Sequence, residues 1–431
     1  MTHTKPEFSS IDIINSMSTS KTILLVCPVP YPPTNGTRVH IWGLILFFRQ
    51  AGWRVILAVC SWQGQNILKA NGEPGIDLPI DLEVHIIERT SRWTAAKDPQ
   101  TVLHVQKLQQ LIDHHKPQVV WCDYADLVPL ASQLNLQGGQ LWFRPHNFEV
   151  AHNLEKMIET RPWRTGWRFS TLKQTVEWVK NLSTSSARIF ITERQMHQVA
   201  DRIFFNAYSD MQFMSRLYGG TVVKDWVVPF LERECIPVKD DKSPLDVVYI
   251  SSNYISPTHL SGARRLLHKV IPAIEAAMPG KFRFHVVGRG SSEHLGKYAS
   301  KTILIHDFIE DLPAFMYNID VACLPVQIGW GCKIKLLEAL ASGLPVVGSP
   351  QTFRGVAPTP GAYYSCRTTE DFVAAFRSLQ DTATRKRVAI AGKAAYTAWV
   401  TEGQGLLNEA LKAQETAYKP SSLFQVIRSA T

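Results

Sequence analysis

Short apolar runs alternate with segments of helical periodicity along almost the whole chain. The first run, Thr22–Cys27 (TILLVC), leads through the loop PVPYPPTNGTR into a helical pattern from about Val39 to Ala51. Gly52 ends that pattern, and Arg54–Cys60 (RVILAVC) reads as the next strand. Strand, loop, helix and strand in this order make a βαβ unit, which predicts a parallel sheet with right-handed crossovers. Glu83–Glu88 (EVHIIE), Gln118–Cys122 (QVVWC) and Gln140–Arg144 (QLWFR) add strands, with a helix at Thr101–His115. Such alternation indicates a Rossmann-like, doubly wound sheet.

The rhythm breaks at 151–183, a helical stretch rich in tryptophan and arginine (RPWRTGWRFSTLKQTVEWVK). Phe169, Leu172, Val176 and Val179 form one stripe at helical spacing, with Trp163, Trp167 and Trp178 off it. This segment reads either as an inserted helix packing on its own domain or as a basic, aromatic face for a membrane surface. A further helix, Ser186–Ala200, precedes strands at Arg202–Asn206 and Val222–Pro229. A charged, proline-bounded stretch (ERECIPVKDDKSP) then reads as a linker. Beyond it a second alternating domain has strands at Asp246–Ser251, Arg283–Gly288, Thr302–Ile305, Asp320–Pro325, Pro345–Gly348 and Ala362–Ser365. Its helices lie near Leu260–Ala277, Asp311–Asn318, Ile334–Ser342 and Thr369–Gln380, with Ala389–Trp399 and Glu402–Tyr418 as a helical end. The expected organisation is a tail at 1–20, a first domain at 21–232 containing the insertion, a linker at 233–244, a second domain at 245–400, and a terminal helix and tail at 401–431. The fold class is α/β, with two Rossmann-like domains facing each other across a cleft at the carboxyl ends of both sheets.

Gly329–Ser349 (GWGCKIKLLEALASGLPVVGS) carries the clearest chemistry. A glycine-rich loop enters a helix, Gly343 is the expected left-handed cap, and Pro345 cannot extend the helix. Lys333 and Lys335 stand at the helix start, where the dipole already places positive charge. An anion would reconcile them, since free N–H groups and lysines together make a phosphate site. The alternative is a solvated Lys335–Glu338 pair.

Composition narrows the classes. Seven scattered cysteines without a C-x-x-C pair argue for reduced thiols in a cytoplasmic setting. No secretory signal pattern opens the chain, and the longest apolar helical patch, Ile41–Phe48, is too short to span a bilayer. A net charge of +9 suits an anionic ligand or the anionic inner face of a membrane, and no nucleic-acid-binding module is recognisable. Neither a D-x-D in strand context nor a His/Cys/carboxylate cluster at metal-ligand spacing is found, so no metal site is expected.

The second half resembles the donor-binding domain of family 4 glycosyltransferases of the GT-B fold. The resemblance rests on SSNYISPTHLSGARRLLHKVIPAI, RFHVVGRGS and DFIEDLPAFMYNIDVACLPVQIGWGCKIKLLEALASGLPVVGS. It is nearest the subgroup with G-x-G-x-(K/R)-x-K-x-L-E-A-x-A-x-G-x-P-V-V. In the first half, the proline- and glycine-bearing loop after Cys27, HKPQVVWCDY, RPHNFE and ITERQMHQVADRIFFNAYSD are similar to that family's segments, in the same order.

The resemblance implies transfer of a sugar from a nucleotide-sugar donor with retained configuration, no cofactor and no obligatory metal. It assigns the first domain to the acceptor, a glycan or lipid-linked molecule, and the second to the donor. Gly331, Lys333 and Lys335 would meet the diphosphate, and Glu338 the ribose hydroxyls. His146 would contact the transferred sugar as the catalytic residue, where position alone favours a structural histidine. Arg289 and Gly290 read as a tight turn or as neighbours of the nucleotide; Gly36 reads as a turn glycine or as a close backbone approach to the phosphates. Trp330 stands where many family members carry an acidic residue, and Ser251-Ser252-Asn253 where many carry an arginine. A nucleotide-sugar epimerase of the same fold and a catalytically silent binding subunit are the alternatives.

Overall fold

The computed structural model describes residues 21–32, 36–62, 76–91, 98–159, 161, 170–231, 233–240, 242–255 and 257–417. The expected tail at 1–20, and Trp163, Trp167 and Phe169, lie outside them.

Two fully parallel sheets organise the chain. The first has seven strands, β1 (Thr22–Cys27), β2 (Arg54–Trp62), β3 (Glu83–Arg89), β4 (Val119–Asp123), β5 (Gln140–Arg144), β6 (Arg202–Phe205) and β7 (Val223–Trp226), in the order β3-β2-β1-β4-β5-β6-β7. The second has six, β8 (Leu245–Asn253), β9 (Phe282–Arg289), β10 (Ile303–His306), β11 (Val321–Leu324), β12 (Val346–Gly348) and β13 (Tyr364–Ser365), in the order β10-β9-β8-β11-β12-β13. Strands β1, β4 and β11 are buried at every position, as expected of sheets covered by helices on both faces. Each order reverses once, between β1 and β4 and between β8 and β11. The loops after those strands diverge there and leave a crevice at the carboxyl edge.

Several helices differ from expectation. Ser186–Ala200 does not stand alone: one helix runs from Ser170 to Val199, after a separate one at Glu149–Glu159. Ser183 and Thr184 both donate to the Lys180 carbonyl, so these polar residues sit mid-helix with their hydroxyls satisfied. Within the stripe, Val176 and Val179 are 62 % and 50 % exposed, so that part of it does not pack inward. Trp178 does pack, donating to the Met157 carbonyl at 2.9 Å. A helix at Tyr208–Tyr218, absent from the sequence reading, follows β6. Leu266–Val270 is a π-helical turn joining Pro257–Arg265 to Ile271–Ala277.

The C-terminal helix is continuous from Thr382 to Ala417, although a break was expected near Trp399. Glycine in a helix costs about 1 kcal/mol, a weak signal that packing overrides. Gly403 lies against β7's end, where a Cβ would meet Val227 Cα at 3.3 Å. The helix serves both units: Ala395, Tyr396 and Trp399 pack in the second core, and Leu407, Ala410 and Leu411 in the first.

Candidate active site

Four segments meet at the paired carboxyl edges. Gly36 begins the helix Gly36–Gln50, and a Cβ on it would lie 2.9 Å from Ile334, the first residue of the helix Ile334–Ala341. Two helix N-termini therefore converge, concentrating partial positive charge. Lys333 caps the second helix through its backbone, with no side-chain acceptor for the first N–H groups. Gly343 ends it with φ +73°, the expected left-handed cap.

The two lysines behave differently. Lys333 Nζ donates to the carbonyls of Gly329, Trp330 and Gly331 at 2.8, 2.9 and 3.1 Å, bracing the loop from within. Lys335 instead has, among the described residues, one long contact to Ser251 Oγ at 3.5 Å and lies 5.3 Å over the Tyr249 ring. Both ammonium groups are pushed down to about 8: burial dominates for each, Asp210 opposes it at Lys333, and Lys333 adds to it at Lys335. Glu338 is not paired with Lys335; it accepts from Arg233 at 2.8 Å. Lys335 is thus the partly buried cation with spare capacity for an anion.

The loop is tied to the first domain by carboxylates. Asp210, 2 % exposed, accepts from the N–H groups of Phe148 at 2.7 Å and Gly331 at 3.0 Å. Glu155 accepts from Gly329 N–H at 2.7 Å and from Arg354 at 3.0 Å. Gly331 has φ +78°, and a Cβ there would lie 2.1 Å from Asn147 Oδ1. Only glycine fits that turn. Trp330 does not occupy an acidic residue's place in open space. Its ring lies among Phe148, Phe213 and the Arg354 guanidinium, as a wedge between the domains.

His146 follows β5 and is 9 % exposed. Its Nε2 lies 2.9 Å from Asp123 Oδ2, and Arg144 Nε donates to Asp123 Oδ1 at 2.5 Å. Burial alone would raise the Asp123 carboxyl; Arg144 and His146 outweigh it and hold the group well below the usual carboxylate range. Tyr124 stacks on the His146 ring at 3.7 Å and pairs with the Thr37 hydroxyl at 2.9 Å. Its φ of 128° is a strained backbone for tyrosine, held by those two contacts. His40 meets the His146 ring in a T-shaped contact, with centroids 4.4 Å apart. Burial, then His146 and Arg144, keep His40 neutral.

Arg289 ends β9 and Gly290 is the N-cap of the short helix Ser291–Leu295; Arg289 is exposed, and its carbonyl accepts from Tyr254 N–H at 2.9 Å. Gly290 has φ +77°, so it is the turn glycine, at the carboxyl edge. Sequence reasoning missed Asp123, Tyr124, Asp210 and Glu155. Asp123 could have been found as a carboxylate at the carboxyl end of a parallel strand; Asp210 lies on the helix that periodicity did not reveal.

Solved structures share this architecture. Sucrose-phosphate synthase from Thermosynechococcus elongatus aligns with TM-score 0.64 and 14 % identity over 92 % of this chain and 99 % of that one. Anabaena HepE, solved with UDP and glucose, aligns with TM-score 0.60 and 12 % identity over 91 % of this chain and all (100 %) of that one. The lipopolysaccharide outer core galactosyltransferase WaaB gives TM-score 0.59 and 12 % identity over 91 % and 99 %. Residues 246–403 match the family model of glycosyl transferases group 1. The chain has the GT-B fold, and its second unit carries a glycosyl transferases group 1 domain. No curated protein matches it by sequence. The matched segment contains Lys333, Lys335 and Glu338, while His146 lies in the first sheet's domain. No described helix is long and apolar enough to cross a membrane. An open apolar groove of about 1050 Å³ between Cys235–Val238 and the C-terminal helix includes none of the cleft residues.

Proposed function

We propose that the protein is a glycosyltransferase that moves a sugar, with retained configuration, from a nucleotide-sugar donor to a glycan or lipid-linked acceptor. The observation that carries this is Lys335, a partly buried ammonium with spare hydrogen-bond capacity beside two converging helix N-termini. A diphosphate there gains a charge-assisted partner and N–H donors, which stabilise the charge that grows as the sugar–phosphate bond breaks. HepE, solved with UDP-glucose, UDP, or UDP and glucose, supports a uridine nucleotide as the first donor class to try.

His146 lies across the cleft on the acceptor side. In the tautomer with Nε2 donating to Asp123, Nδ1 is an acceptor, suited to a hydroxyl of the transferred sugar. Asp123 fixes the tautomer and Tyr124 the ring plane. Lys333 acts by shaping the loop around Gly331, and Glu338, exchanging its Arg233 partner, is the acceptor for ribose hydroxyls. The reading needs no metal in the cleft. Exposed Val176 and Val179, with neighbouring basic residues, support peripheral contact with an anionic membrane.

Incubating the purified chain with UDP-, GDP- and ADP-sugars, with and without lipid and glycan acceptors, tests the proposal. Transfer from one donor with retained configuration is expected. Donor isomerisation without acceptor would favour an epimerase, and tight nucleotide binding without turnover a silent subunit.

A further inference from the structure

The β3 edge of the first sheet holds a second constellation. Glu83 opens β3, the edge strand of the first sheet, and His85 lies two residues on, so both side chains project from one face. His115 is the last residue of the helix Pro99–His115, which Lys116 terminates in a left-handed conformation. Tertiary folding brings the three to one point. Glu83 Oε1 lies 2.8 Å from His85 Nε2 and 2.9 Å from His115 Nε2, and the three ligand atoms lie within 4.8 Å of one another. Arg54, on neighbouring β2, holds the other carboxylate oxygen at 2.8 Å. No role in sugar transfer follows from this cluster, because it sits at the amino ends of β2 and β3.

We propose that Glu83, His85 and His115 form a binding site for a zinc-type divalent cation, pinning the edge strand to the end of the helix. Two imidazoles and a carboxylate are the donor set that borderline ions such as zinc prefer. Tetrahedral zinc at about 2.0–2.1 Å from nitrogen separates its ligand atoms by about 3.3 Å. The present hydrogen-bonded arrangement therefore needs only small shifts to admit the ion in place of the two shared contacts. Water would complete the coordination. Arg54 fixes the second carboxylate oxygen from the outer shell, as such partners commonly orient ligands. The carboxyl end of the helix favours positive charge at this place. The sequence does not display the site, since His115 is brought in from 30 residues beyond His85 by the fold.

Zinc chloride titrated into the untagged full chain, in competition with a chromophoric chelator, reads the stoichiometry and affinity. One ion per chain is expected, with affinity lowered more than about tenfold in His115→Ala, the least that even outer-shell changes cost. His85→Ala, at a more exposed position, gives the same loss if His115→Ala fails to fold, and His114→Ala retains binding. Cobalt chloride should give the intense visible bands of a four- or five-coordinate ion, abolished in both ligand variants. Equal zinc affinity in wild type and His85→Ala, or only weak six-coordinate cobalt bands, overturns the proposal. Neither readout depends on glycosyl transfer.

Discussion

Replacing Lys335 by methionine separates the cost of a binding site from its use. The side-chain stem is kept and the charge is lost. Burial first, and Lys333 second, push the ammonium from an ordinary 10.5 to about 8, with Glu338 opposing. At about 1.4 kcal/mol per unit, this is a destabilisation on the order of 3 kcal/mol in the empty protein at pH 7, an upper bound because the group can shift toward water. The sign follows from proton counting. Between pH 8 and 10.5 the unfolded chain binds more protons at this position, so stability rises with pH there and the full penalty applies below 8. Lys335→Met should therefore raise the melting temperature of the empty protein at pH 7 by about 2 °C or more, with the advantage fading by pH 10. The same change removes a charge-assisted contact worth about 1.5–3 kcal/mol, so UDP affinity should fall roughly 10- to 100-fold. Scanning calorimetry at the two pH values and titration calorimetry with UDP measure both. UDP binding within threefold of wild type, or equal destabilisation at both pH values, would refute the reasoning.

Other perturbations test neighbouring parts. Burial raises the Glu193 carboxyl to about 7 even though Tyr218 and the Glu149 N–H donate to it, so its charging opposes folding as pH rises from 4.5 to 7. Glu193→Gln should gain on wild type by about 1–3 kcal/mol at pH 8 and by nothing at pH 4, read by urea unfolding. Gly331→Ala should displace the loop, since the new Cβ would meet Asn147 Oδ1 and the φ is left-handed; nucleotide affinity should drop more than tenfold by calorimetry while circular dichroism stays native. Asp210→Ala should strand two buried N–H groups and cost about 2–4 kcal/mol in urea unfolding. Asp123→Asn should leave Arg144 without its buried counter-charge, costing about 3–5 kcal/mol, and should lower turnover in whatever assay the donor panel establishes.

The sequence by itself determined the two parallel sheets and the special loop. Strands buried on both faces must be apolar throughout, and a helix ended by glycine and proline announces its boundary. It also placed Gly36, Gly331, Lys333, Lys335, Glu338 and His146 near carboxyl edges, because strand order carries that information in parallel folds. Only the tertiary structure decided what each does. Lys333 and Lys335 are two residues apart and look alike in sequence, yet one is spent on loop carbonyls and the other faces Ser251 with capacity left. Asp123, Asp210 and Glu155 act on partners 21 to 199 residues away, so no local pattern could reveal them. The Gly329–Ser349 motif was legible because its chemistry is local. The His146–Asp123 pair and the carboxylate clamps of Asp210 and Glu155 were not, because burial and hydrogen-bond partners are properties of the packed chain.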